Sequence, residues 1–137
     1  MVNSYDLVVC KKHGHLFELF YKYSFEPVGA IMEFIHSREQ KEFDERTMIA
    51  ASQDEMYSFA TFIQNREFKL FDYRDFEQDV LFYIGYVTQY IGYHEELPLC
   101  QLFTKEDIEW MWQNYDVLHT QEALYVWELI KEKHTKQ

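Results

Sequence analysis

The stretch YRDFEQDVLFYIGYVTQYIGY, residues 73–93, decides how the rest of the chain is read. Val80, Ile84, Val87 and Ile91 recur at spacings of 4, 3 and 4, the period of one helical face. Tyr83, Tyr86, Tyr90 and Tyr93 recur at 3, 4 and 3 and form a second stripe, centred about a quarter-turn from the first. Asp75 and Asp79 fall on the tyrosine side, in the turns before it. The segment is therefore predicted to be the longest helix, opened by Asp72 and Asp75. Its aliphatic stripe is expected to enter the core. Its ridge of carboxylates and phenols is expected at the boundary between core and solvent, where ring faces and carboxylates both attract Lys and Arg.

Towards the C-terminus, Leu97-Pro98 ends this helix. Thr104-Lys105-Glu106-Asp107 reads as a helix start, with Ile108, Met111, Trp112 and Tyr115 on one face behind it. Thr120 is expected to cap a last helix carrying Ala123, Val126, Trp127 and Ile130.

Towards the N-terminus, Pro27 suits a first helical turn, and Val28, Ile31, Met32 and Ile35 follow as a buried stripe. The stretch from His36 to Arg46 is polar and reads as a loop. Ser52-Gln53-Asp54-Glu55 reads as a capping box before Met56, Phe59, Ala60 and Ile63. Residues 5–23 fit two descriptions: a β-hairpin turning at Gly14, or a helix. The expectation is one domain over residues 1–137, mainly α, of about five helices. An N-terminal hairpin, making the fold α+β, is the alternative. Residues 1–72 form a hairpin or helix plus two helices, and 73–135 an acidic helical part.

With 137 residues and 47% apolar side chains, the chain can bury a core without staples. Aromatics at 19% exceed what such a core needs, so some are expected at the surface, in an interface or in a homodimer. Two distant cysteines, Cys10 and Cys100, offer no disulfide framework. The N-terminus shows no signal peptide and the longest uncharged run, Val80 to Tyr93, is 14 residues, so a cytoplasmic protein without a membrane span is expected.

Net charge is −11, which argues against direct binding to a nucleic-acid backbone. Between Asp75 and Ile130 stand eleven acidic residues against one base, Lys105, so nearly all the net charge lies there. A field of one sign steers oppositely charged partners. The expected function is thus a non-enzymatic, inhibitor- or antitoxin-like binding protein that docks a basic partner through residues 75–130, with Asp75, Asp79, Tyr83, Tyr86, Tyr90 and Tyr93 at the contact. In one version the carboxylates mimic nucleic-acid phosphates and block a DNA- or RNA-handling enzyme.

The alternative is a small enzyme or nucleotide-binding domain using His94, Asp116 and His119, which would need to converge in a pocket. Neither a P-loop nor a nucleotide-binding glycine motif nor a nucleophile elbow occurs, and no cofactor is expected. Cys10, His13 and His15 are too few for an ordinary zinc site, and no metal is expected.

The run Trp112-Gln113-Asn114-Tyr115-Asp116-Val117-Leu118-His119-Thr120-Gln121, continuing through Tyr125-Val126 to Ile130, resembles the C-terminal signature of a small bacterial helical family of unknown function. That family ends in a Tyr-Asp-x-Leu-His-Thr segment and a short helix. Its genes often lie beside those of ADP-ribosyltransferase-like proteins, so the resemblance implies a paired, toxin–antitoxin-like module. It covers residues 78–133, with Tyr115, Asp116, Leu118, His119 and Thr120 as the matching motif positions of unassigned role.

Overall fold

In the computed structural model, which describes residues 2–136, α1 spans Ser4–Lys22. Asn3 and Asp6 close its first turn reciprocally: the Asn3 side chain accepts from the Asp6 amide at 2.8 Å, and the Asp6 carboxylate accepts from the Asn3 amide at 3.2 Å. The hairpin alternative is thereby overturned. Gly14 is no turn but a contact point, because a Cβ there would stand 2.8 Å from the Phe82 ring. A Cβ on Gly85 would stand 2.8 Å from both Gly14 Cα and the His13 carbonyl oxygen. Two glycines without side chains thus let two long helices approach backbone to backbone.

The second of those helices, named α6 below, follows four others. Helix α2 (Pro27–Ile35) has Pro27 in its first turn as expected and buries Ile31 and Ile35 of the expected stripe, whereas Val28 and Met32 are half-buried and Ala30 and Phe34 complete the buried face. Helix α3 (Arg38–Asp44) occupies the stretch read as a loop. Ser37 caps it by accepting from the Gln40 amide, while Glu39, Gln40 and Phe43 are buried; only Phe43 of these is apolar, so no apolar stripe marks the helix. Helix α4 (Met48–Ser52) is followed by α5 (Glu55–Ile63). The cap of α5 is Asp54 rather than Ser52, and of the expected stripe only Phe59 is buried, with Ser58 and Phe62 beside it, while Met56 and Ala60 are exposed and Ile63 is half-buried. Residues 64–76 run irregularly and touch the chain after α1 through a single antiparallel bridge, Phe25 to Leu70.

Helix α6 (Glu77–Glu95) begins four residues later than the sequence pattern suggests. Asp72 and Asp75 lie ahead of it, and Glu77 accepts from the Arg74 amide at 2.7 Å. It ends on Glu96 in the left-handed region (φ 57°), and a Cβ on Gly92 would lie 2.5 Å from Leu99 of the next helix. Short α7 (Leu99–Leu102) leads to α8 (Lys105–Gln113), where Thr104 and Asp107 form the expected reciprocal cap. Helix α9 (Tyr115–Leu118) is one turn, and α10 (Ala123–Thr135) closes the chain. Its N-cap position is Glu122. Thr120, expected there, instead donates its hydroxyl to the Val117 carbonyl at 3.0 Å.

The described residues are thus mainly helical, with no β-strand beyond that bridge. Helix α1 lies along α6: Gly14 meets Gly85, His15 meets Phe82, and Arg46 links Asp6 to Tyr93. On one side of this pair the core is rich in rings, with Phe17, Phe20, Phe34, Phe43, Phe59 and Phe62 all buried. Adjacent rings meet edge to face, as Phe34 and Phe62 do at 4.9 Å. Much of the phenylalanine excess therefore belongs to the core. On the other side, Val80, Ile84, Ile108, Met111, Val126 and Ile130 make an aliphatic core.

Candidate protein-binding face

Val80, Ile84 and Ile91 point into the core while Gly85 and Gln89 face α1 and α3, so only the arc between these two buried faces points outward. It carries Asp79, Phe82, Tyr83, Tyr86 and Tyr90. Asp79 is exposed and the four rings are half-buried. They form two rows rather than one ridge. In the first, the rings of Phe82 and Tyr86 stack at 6.1 Å and those of Tyr86 and Tyr90 at 6.5 Å, with His15 of α1 extending the row at 4.9 Å from Phe82. Burial beside α1 pushes the Tyr86 phenol up from its ordinary pKa.

In the second row, Tyr83 meets Tyr115 edge to face at 5.5 Å, and Tyr115 stacks on His119 at 4.6 Å. The helix ridge and the Tyr-Asp-x-Leu-His-Thr segment therefore share one surface. Burial, and then the charges of Asp79 and Asp116, raise the pKa of the Tyr115 phenol. The Tyr83 hydroxyl is buried without a hydrogen-bond partner, and burial raises its pKa too. Beside Asp116 opens a cleft of about 260 Å³ whose walls include Arg74, Phe76, Trp112 and Tyr115.

Two of the predicted contact residues do not belong to this face. Tyr93 has the right helical register but is sealed in the core at 1% exposure. Its hydroxyl donates to the Phe43 carbonyl at 2.6 Å, and the Arg46 guanidinium covers its ring at 4.2 Å while pairing with Asp6. The segment after α3 folds over this end of α6, which spacing within α6 had no means of showing. Asp75 is exposed but precedes the helix and so is not on its stripe. Conversely, Phe82, which the sequence reading does not single out, and His15, weighed there only as a zinc ligand, join the face. Phe82 stands one turn before Tyr86 on the same stripe, so the signal was there.

The acidic segment sorts in the same way. Glu77 holds the turn before α6 by accepting from the Arg74 amide, Asp107 caps α8 and contacts His134, and Glu95 accepts from the Trp127 indole at 2.9 Å. Glu109 and Glu128 pair with Lys105 and Lys131. Among the described residues, Asp75, Asp79, Glu96, Glu106, Asp116 and Glu122 are exposed and make no ion pair.

The residues nominated for catalysis do not assemble. The His119 ring donates through Nδ1 to the Tyr115 carbonyl at 2.8 Å, while Asp116 and His94 are exposed without side-chain hydrogen bonds. His94 stands eleven residues, roughly 16 Å of helix rise, beyond the Tyr83 that touches the Tyr115–His119 pair. Leu118 is buried and serves the core. Cys10, His13 and His15 also diverge. His13 is enclosed between the Gly85 carbonyl and the Gln40 amide, each at 2.6 Å, whereas His15 pairs with Glu18 on the outside. Among the described residues no three His, Cys, Asp or Glu side chains are grouped to hold a metal ion, and no helix is long and apolar enough to cross a membrane.

Compared with protein-family models, with curated proteins and with solved structures, the chain finds no match in any of the three.

Proposed function

We propose that this protein is a non-enzymatic binding protein that offers the outer face of α6 and the adjoining α9 to a basic surface of a partner protein. The observation that carries this reading is the meeting of the α6 and α9 rings, Tyr83 with Tyr115 and Tyr115 with His119, beside the Phe82–Tyr86–Tyr90 row, on two helices that also carry the exposed and unpaired Asp79 and Asp116. Partly desolvated rings flanked by unpaired carboxylates suit Arg and Lys, which stack on a ring face and pair with an oxygen at once. The nearby Arg74 guanidinium lies 5.7 Å from the Phe76 ring, an intramolecular example of the same contact. An inhibitor or antitoxin is the role such a face suits, and it is the role that the resemblance of the Tyr115–Thr120 segment implies. A partner site that normally holds phosphate would be covered in the same manner, with carboxylates in place of phosphates.

The test is capture from the protein's own lysate, followed by calorimetry with the isolated partner. Asp79→Lys/Asp116→Lys should weaken binding at least 10-fold and flatten its salt dependence. Glu106→Lys/Glu122→Lys, which reverses equal charge outside the aromatic rows, should change affinity less than 3-fold. Equal losses from both pairs would mean that charge alone, not this face, sets the binding. No loss from the first pair would end the proposal.

A further inference from the structure

Away from that face, α3 and α7 enclose a pocket of about 270 Å³. Ile35 and Pro98 give it apolar walls, and His36, Lys41, Asp44 and Cys100 also line it. Asp44 is held in place from behind. Gln40 donates from its amide nitrogen to Asp44 Oδ1 at 2.9 Å and to Gln89 Oε1 at 2.8 Å, and is itself fixed by His13.

These supports are neutral. Gln40 and Gln89 are amides, Leu99 offers only its backbone, and burial holds the His13 ring in its uncharged form, down to about 4. The charged neighbours are Glu45 and Lys41, and these face each other at 4.0 Å. His36 turns Nδ1 to the Met32 carbonyl at 3.0 Å. The Asp44 carboxylate therefore has no cationic partner, although the pocket wall removes much of its water. Burial, reinforced by Glu45 and offset in part by hydrogen bonds from Gln40, the Leu99 backbone and Gln89, pushes the carboxyl up to about 6. A desolvated carboxylate without a counter-ion gains by taking up either a proton or a cation.

We propose that the α3–α7 pocket is a binding site for a small organic monocation, whose ammonium pairs with Asp44 while its apolar body lies against Ile35 and Pro98. The two carboxylates and single ammonium along the pocket leave it net negative, and the charge of −11 on the whole chain raises the local cation concentration further. A metal ion would lack ligands here, and an anion would meet Asp44 unscreened. This site is independent of the α6 face.

The probe is n-butylammonium, with 1-butanol as the uncharged comparison. Cys100 is exposed and Cys10 buried, with its thiol pushed up to about 12, so reaction with 4,4′-dithiodipyridine reports on Cys100 alone. Saturating n-butylammonium should slow that reaction at least 3-fold and give a saturable heat in calorimetry at pH 7.5. Competition by the proton should weaken the affinity about 10-fold at pH 5. Asp44→Asn, nearly the same shape, should abolish the protection, whereas Cys100→Ser should keep the heat signal. Protection by 1-butanol equal to that by the amine, undiminished binding to Asp44→Asn, or no saturable binding at all would each overturn the site.

Discussion

At the residue scale, register and neighbourhood part company at Tyr93. Tyr90 and Tyr93 share a stripe, yet Tyr90 is half-buried on the outer face while Tyr93 is enclosed by Arg46 and bonded to Phe43. Tyr93→Phe should therefore cost about 1 kcal/mol, because a buried hydrogen bond is lost and the Phe43 carbonyl keeps only the Arg46 amide as donor, and Tyr90→Phe should cost under about 0.5 kcal/mol. Urea unfolding of the two variants measures both, and equal costs would contradict the placement. Asp44 gives the pH counterpart. Its folded-state pKa of about 6 lies above the ordinary 3.8, so its contribution to stability is complete below about 3.8 and lost as pH rises through about 6. Asp44→Asn should thus change stability little at pH 4 and raise it by about 1–2 kcal/mol at pH 8, allowing for partial exposure. Urea midpoints at the two pH values decide it.

At the element scale, the α1–α6 crossing is where sequence reading was least equipped. The helical period of Val80, Ile84, Val87 and Ile91 made α6 legible, and Thr104 with Asp107 made the start of α8 legible, since both signals lie within one segment. Gly14 carries no such local signal. Beside Leu7-Val8-Val9-Cys10 it looks like a turn, and only its partner Gly85, far away in sequence, reveals its use. Helix α3 was missed for a similar reason, because Gln40 is buried by a hydrogen-bond network rather than by apolar periodicity. Gly85→Ala should force backbone atoms apart and cost about 1–3 kcal/mol. Gly29→Ala, on an exposed helical position whose nearest neighbouring atom would be 3.7 Å away, should stabilise by about 0.5–1 kcal/mol. Thermal unfolding separates these signs. A destabilised Gly29→Ala, or a neutral Gly85→Ala, would contradict the packing described.

At the scale of the whole molecule, the charge bias legible in the sequence is consumed unevenly. Several carboxylates of the segment from Asp75 to Ile130 hold turns, caps or ion pairs, and the unpaired remainder includes Asp79 and Asp116, on the two helices that carry the aromatic rows. That two separate signals, a tyrosine stripe and a Tyr-Asp-x-Leu-His-Thr segment, share one face emerges only once Tyr83 meets Tyr115 in space. The most direct measurement is hydroxyl-radical footprinting of the protein alone and bound to its captured partner. The account predicts that Tyr86, Tyr90, Tyr115 and His119 lose reactivity on binding while Met48 and Leu70, 77% and 79% exposed and away from α6, do not. Protection centred on Met48 and Leu70, with the tyrosines of α6 and α9 as reactive as before, would contradict it.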